Sequence, residues 1–202
     1  MRFHTLILSG ISLLTFVGCS TIDTTGISPA SSKVPRGMEA SSIIVTEYAD
    51  LQCPACKAAH TMLNKRLYSQ YGNRVRFDFK QYPLRALHRY AFTAAQASEC
   101  AADQGKFWEY IDYAYEHQEE LKDNPHEKWA SALNLNGDLF HRCLASGIKE
   151  DAVLADVKQG EALEVNGTPT YFVNGTLVKT NSLEEITKLI ETAKKMSDAA
   201  PL

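Results

Sequence analysis

Cys53-Pro54-Ala55-Cys56 stands where a β-branched apolar run ends and a helical pattern begins, and this junction constrains the fold more than any other stretch of the 202 residues. The run Ile43-Ile44-Val45-Thr46-Glu47-Tyr48-Ala49 reads as a strand, and Arg74 to Gln81 alternates charged and apolar residues with strand period. Between them Ala55, Ala58, Ala59, Met62 and Leu63 fall at the spacing of a helix face packed on a sheet. Strand, helix and strand in this order make a right-handed βαβ unit with parallel strands. The cysteines then lie at the carboxyl edge of the sheet, where ligands and chemistry gather.

That position implies chemistry. A cysteine at a helix N-terminus faces unpaired backbone N–H groups and the positive end of the helix dipole, which favour thiolate over thiol and lower the pKa of Cys53. Pro54 suits the first helical turn, because its missing N–H would be unpaired there. The three-residue offset places Cys56 one turn on, able to close a short disulfide or to attack a mixed disulfide formed at Cys53. Half of a zinc site has the same spacing. Zinc needs a second ligand pair, however, and Cys100 and Cys143 are isolated singles. His60, His88, His117, His126 and His141 show no metal-ligand spacing and are expected as surface or satisfied core residues. No metal and no cofactor beyond the cysteine pair is expected.

Further along, Thr170-Tyr171-Phe172-Val173 and Thr176-Leu177-Val178 flank Asn174-Gly175, a strong hairpin signal. Ser182-Leu183-Glu184-Glu185 has the capping-box pattern, and Leu183, Ile186, Leu189 and Ile190 supply the buried face of a last helix. The halves are therefore βαβ and ββα. Between them, residues from about 86 to 165 carry helical patterns broken at Gly105, Asn124-Pro125, Gly137 and Gly147, a helical insertion. Its aromatic cluster, Phe107, Trp108, Tyr110, Tyr113 and Tyr115, is expected to pack a core rather than line a ligand groove.

Arg2 precedes an uncharged run from Leu6 to Val17 that is shorter than the roughly 20 residues needed to span a bilayer, so residues 1–18 read as a signal peptide. Phe16-Val17-Gly18-Cys19 resembles the bacterial lipobox, with Cys19 lipidated and Phe16 in place of the usual Leu. Residues 19–41, rich in Ser, Thr, Pro and Gly, are expected to form a flexible tether, and the folded domain to cover 42–197. The net charge is −3 with no Lys/Arg run, which leaves no electrostatic footprint for nucleic acid.

The strand-CxxC-helix junction, the two halves of the fold, and Gly167-Thr168-Pro169-Thr170 before the hairpin together resemble the thioredoxin superfamily. The helical insertion and the sequence EYADLQCPAC most resemble its DsbA-like thiol-disulfide oxidoreductases of the bacterial periplasm. The resemblance implies an α/β thioredoxin fold with a mixed sheet and a helical insertion. It implies a cis bond before Pro169, which with Thr168 would offer backbone groups to a substrate chain opposite the cysteines. It also implies a buried acid at Glu47 that accepts the proton of Cys56 as a general base. With Cys19 set aside, four cysteines allow three pairings. Closure of Cys53 with Cys56 leaves Cys100 with Cys143, as in those DsbA-like proteins that carry a second, structural disulfide; two free buried thiols are the alternative.

The activity implied is dithiol oxidation of substrate proteins by a lipid-anchored periplasmic monomer, recycled by a membrane redox partner, either a DsbB-like oxidase or a DsbD-like reductase. Ser20 after Cys19 points to the outer membrane. Pro-Ala between the cysteines replaces the Pro-His of the strongest oxidases, so an intermediate redox strength is expected. Isomerase or reductase activity, and a metal-binding lipoprotein such as a copper chaperone, are the alternatives.

Overall fold

A computed structural model describes residues 22–199. Its five-stranded sheet has the order β1-β3-β2-β4-β5, with β1 at Arg36–Gly37, β2 at Ile44–Ala49, β3 at Arg76–Gln81, β4 at Thr170–Val173 and β5 at Thr176–Leu177. β2 and β3 run parallel, and every other pairing is antiparallel. The mixed sheet is the one expected from βαβ followed by ββα. The β4–β5 hairpin turns at Asn174 and Gly175, both with positive φ, as a primed turn requires.

One face of the sheet, with Val45, Phe77, Tyr171 and Val173, is covered by α2 (Lys65–Tyr71) and α8 (Leu183–Ala199) through Leu67, Tyr71, Ile186 and Ile190. Tyr48 and Phe172 point the other way and pack with Val165. Glu185 N–H donates to Ser182 Oγ, but the Glu185 carboxylate turns back to the N–H groups of Lys179 and Thr180, so the expected capping box is half formed.

The helix after the cysteines differs from the expected one. α1 (Pro54–Ala59) runs into a π-turn at His60–Asn64 before α2, and Cys56, His60, Leu63, Asn64 and Leu67 turn inward. Met62, placed on the buried face by its apolar character, is 71% exposed, and Ala55 and Ala58 are exposed as well. The real face includes two polar residues, which an apolar periodicity does not register.

The insertion comprises α3 (Ala91–Ala102), α4 (Phe107–Glu116), a 3-10 turn at Gln118–Asp123, α5 (His126–Ala132), α6 (Gly137–Ser146) and α7 (Glu150–Ala162). Gly137 opens α6 behind the N-cap Asn136 rather than breaking a helix. The aromatic residues pack as core: Phe107, Trp108, Tyr110 and Tyr115 are buried, with Tyr113 packed against them. Cys100 of α3 is bonded to Cys143 of α6.

The segment expected as a tether is instead laid on the domain from Ile27 onward. Ile27 is buried in the core of the insertion. Lys33 donates to Glu99 and Asp156, the Trp108 indole N–H donates to the Val34 carbonyl, and Arg36 stacks between Tyr68 and Trp108 while pairing with Asp112. Arg36 and Gly37 pair with β3, where Gly37 takes φ +86° and a Cβ would lie 2.4 Å from the Val75 carbonyl oxygen. A Ser/Thr/Pro-rich composition suggested coil, but a few anchoring side chains supply enough buried contact to hold it. The signal peptide and Cys19 lie outside the described residues.

Candidate active site

β2 ends at Ala49, and the turn Asp50-Leu51-Gln52 delivers Cys53 as the N-cap of α1 with Pro54 as its first residue. The Cys53 N–H closes this turn onto the Asp50 carbonyl at 3.1 Å. The buried Asp50 carboxylate accepts from the N–H of Gln52 and Leu84 at 2.7 and 2.8 Å and lies 2.8 Å from His88 Nδ1. Gln52 Oε1 accepts from the Tyr90 N–H, while Gln118 Nε2 donates to the carbonyls of Leu51 and Cys53 at 2.8 and 3.0 Å. The redox turn is thus tied to the insertion from two sides.

Because β4 runs antiparallel beside β2, with Tyr48 opposite Thr170, residues 168–169 arrive at the same end of the sheet as the cysteines. The Thr168–Pro169 bond is cis, and the Thr168 carbonyl lies 3.4 Å from Cys53 Sγ. Both cysteines are free thiols, Cys53 6% exposed and Cys56 fully buried. The Cys53 thiol is brought from 9.0 down to about 5, first by the hydrogen bond from Cys56; burial opposes this, and the Thr168 hydroxyl and the N–H groups of Cys56 and Ala55 add to it. The helix terminus invoked from the sequence is therefore a real but lesser cause. Cys56 is pushed far up by burial, by its bond to Cys53 and by the charge of Glu47.

Glu47 sits on β2 facing the α2–α8 side, 5% exposed. Asn64 Nδ2 and the Tyr171 hydroxyl each lie 2.8 Å from its carboxylate oxygens. Burial pushes it from 4.5 up to about 7, with the bonds from Tyr171 and Asn64 pulling the other way. Cys53, Cys56, Glu47, Thr168 and Pro169 are thus gathered toward one end of the sheet; Cys100 and Cys143 are bonded to each other within the insertion, in the same buried cluster as Cys53 and Cys56.

Sequence reasoning passed over Asn64, Tyr171, Asp50 and Gln118. For Asn64 a signal existed: Cys56, His60 and Asn64 recur at four-residue spacing, one face of a helix. His60, expected as a surface or satisfied core residue, is buried with Nε2 3.0 Å from Asp112 Oδ1, yet neither ring nitrogen makes a hydrogen bond among the described residues. His88, expected as a surface or satisfied core residue, is satisfied by Asp50.

A family model described as Thioredoxin matches residues 30–192. The chain belongs to the thioredoxin family. The match begins within the strapped segment, so that strap is part of the family's domain. Among solved structures, BdbD from Bacillus subtilis in its oxidised form has a TM-score of 0.74 at 20% identity and covers 82% of this chain and 98% of its own. Chlamydia trachomatis DsbA has a TM-score of 0.69 at 16% identity, covering 86% and 96%. Wolbachia pipientis alpha-DsbA1 has 0.66 at 20% identity, covering 81% and 93%. The thioredoxin fold is therefore of the form seen in these DsbA-type structures, with a helical insertion between its halves. Among curated proteins, Na(+)/H(+) antiporter NhaA 3 of Salinispora tropica is 38% identical over 140 residues, and NhaA 1 of Salinispora arenicola 37%. Each alignment covers 69% of this chain but only 21% of the antiporter, so the chain spans about a fifth of the length of those relatives.

Proposed function

We propose that the protein is an exported dithiol oxidase, lipid-anchored through Cys19 in the periplasm, that introduces disulfides into substrate proteins through a mixed disulfide at Cys53. One observation carries the oxidase part of this reading: Cys53 caps α1 beside the cis Thr168–Pro169 bond, 3.4 Å from the Thr168 carbonyl, where it is held at about 5 while Cys56 behind it is buried and pushed far up. A stabilised thiolate lowers the free energy of the reduced pair, which makes the disulfide form oxidising.

In the forward direction a substrate thiolate attacks Cys53 Sγ of the disulfide and forms the mixed disulfide. The Cys53–Cys56 bond breaks, and Cys56 leaves as a thiolate that takes up the proton held on Glu47. A second substrate thiolate then attacks the substrate sulfur, forming the substrate disulfide and releasing Cys53 as a thiolate. Two electrons pass from substrate to enzyme. A membrane dithiol oxidase of the DsbB kind removes them, while Thr168 and Pro169 receive the substrate backbone beside Cys53. The protein works as a monomer at the outer membrane, a location that Ser20 after the lipidated cysteine supports. Sodium-proton exchange remains a property of the antiporters, whose match is confined to a fifth of their length; among the described residues no helix is long and apolar enough to cross a membrane.

The test is refolding of reduced against scrambled ribonuclease. Faster recovery from the reduced form is the expected result, and rescue of the scrambled form alone would assign an isomerase. Equilibration with glutathione is expected to give a potential between the roughly −270 mV of thioredoxin and −120 mV of DsbA.

A further inference from the structure

Glu47, Asn64 and Tyr171 form a closed ring. Asn64 Nδ2 lies 2.8 Å from Glu47 Oε2, the Tyr171 hydroxyl 2.8 Å from Glu47 Oε1, and the same hydroxyl 2.8 Å from Asn64 Oδ1. All three residues are buried. Three independent elements build the ring: Glu47 from β2, its direct cross-strand partner Tyr171 from β4, and Asn64 from the π-turn that swings it inward.

The phenol has one proton and two acceptors, so the ring cannot be satisfied in the same way at both charges of Glu47. When Glu47 is ionised, Tyr171 and Asn64 both donate to the carboxylate. When Glu47 is protonated, its O–H donates to Tyr171, Tyr171 donates to Asn64 Oδ1, and Asn64 still donates to Glu47 Oε2. Passing between the two arrangements moves protons and no heavy atom.

We propose that Asn64 and Tyr171 are positioning residues that let Glu47 take and give the Cys56 proton without rearrangement of the buried site. This rests on the reading of Glu47 as the proton partner of Cys56. In resolution of a mixed disulfide, the Cys56 proton passes to the Glu47 carboxylate. Cys56 Sγ then bonds to Cys53 Sγ, the bond from Cys53 to the substrate sulfur breaks, and the substrate leaves as a thiolate. In substrate oxidation the same proton returns.

The groups facing the ring are Cys56 and Tyr68 from the helix after the cysteines, Tyr115 from α4, and Asp78 across a cavity of about 10 Å³ that Tyr68, Trp108, Asn64 and Tyr171 also line. Arg36 stacks on Tyr68, which lines that cavity, and lowers the Tyr68 pKa against the effect of burial. Burial pushes Cys56, Tyr68, Tyr115 and Tyr171 all upward, which leaves Glu47, at about 7, alone among these thiol, phenol and ring groups in titrating near neutrality. His60 stands beyond Tyr115, paired with Asp112.

The experiment follows release of a peptide thiol from its mixed disulfide with Cys53 in the full chain, as a function of pH from 5 to 9. The wild-type rate is expected to rise through an inflection near 7, as Glu47 ionises. Tyr171→Phe keeps the aromatic volume and removes one donor to the carboxylate, so the inflection is expected to move up by a pH unit or more, with release at pH 7 slowed about fivefold or more. Asn64→Ala is expected to move it in the same direction, which keeps the proposal testable if one variant fails to fold. Inflections in both variants within a few tenths of wild type would overturn the ring. A Glu47→Gln variant that keeps the inflection would overturn the proton role of Glu47 itself and assign the titration to another group.

Discussion

Thr168 and Cys53, 115 residues apart in sequence, meet at the end of the sheet with the Thr168 carbonyl 3.4 Å from the Cys53 sulfur. The carbonyl can accept from Cys53 only while the sulfur carries its proton, whereas the Thr168 hydroxyl, buried and without a hydrogen-bond partner among the described residues, is free to turn toward the thiolate and favour it. Thr168→Val is therefore expected to raise the Cys53 pKa above about 5. The pH dependence of iodoacetamide alkylation measures it; an unchanged profile would remove the hydroxyl from the account.

The lowered Cys53 pKa also sets a stability difference between redox forms. Its ordinary value is 9.0 and its folded value about 5, so the ionised thiol stabilises the folded reduced protein fully above pH 9, and the effect is lost as pH falls through 5. The stability of the reduced form relative to the oxidised form in urea is expected to be greater at pH 7 than at pH 4, where the thiolate contribution is gone. Paired urea titrations across that window decide it.

Glu47 works in the opposite sense. Its folded pKa is raised from 4.5 to about 7, so folding loses stability as pH rises between those values, by about 3 kcal/mol in total. Glu47→Gln is expected to flatten this part of the stability curve and to be more stable than wild type at pH 8, while resolving mixed disulfides more slowly. A variant less stable than wild type at pH 8 would contradict it.

Loss of the Cys100–Cys143 bond, which closes a loop of separation 43, is expected to cost about 4 kcal/mol in the chain-entropy picture. Calorimetry of a Cys100→Ala/Cys143→Ala double variant gives the figure, and thiol exchange at Cys53 should survive at low temperature.

Lys33 is held above its ordinary pKa because Glu99 and Asp156 outweigh the burial that pushes it down. Lys33→Ala leaves the fully buried Glu99 without this partner, and a loss of about 3–5 kcal/mol is expected. Urea unfolding followed by fluorescence of Trp108, whose indole is bonded to Val34 of the same strap, reports it.

What was legible in the sequence follows from which signals are local. The strand at Ile44–Ala49, the hairpin at Asn174-Gly175 and the helix cap at Cys53 rest on neighbours within a few residues, and each stands in the structure. The strap of Ile27 to Gly37 does not, since it is held by Glu99, Trp108 and Asp156, far along the chain. The π-turn was hidden for a related reason: it buries His60 and Asn64, and the latter's reward is a carboxylate on another element. Hydrophobic spacing marks a face that avoids water, whereas a buried polar residue is placed by its partner, which spacing does not reveal. The bond between Cys100 and Cys143 was expected from the family resemblance, with two free thiols as the alternative, because they lie 43 positions apart and no local signal joins them.

The strap also fixes how far the catalytic body can stray from any anchor. Ile27, seated in the core, follows Cys19 by only eight positions, a span of at most roughly 28 Å if drawn out straight. A lipid at Cys19 would therefore moor the enzyme on a short leash, skimming the bilayer surface. Which clients it reaches would then depend on the side it turns away from the lipid, because it has little length with which to fish for them.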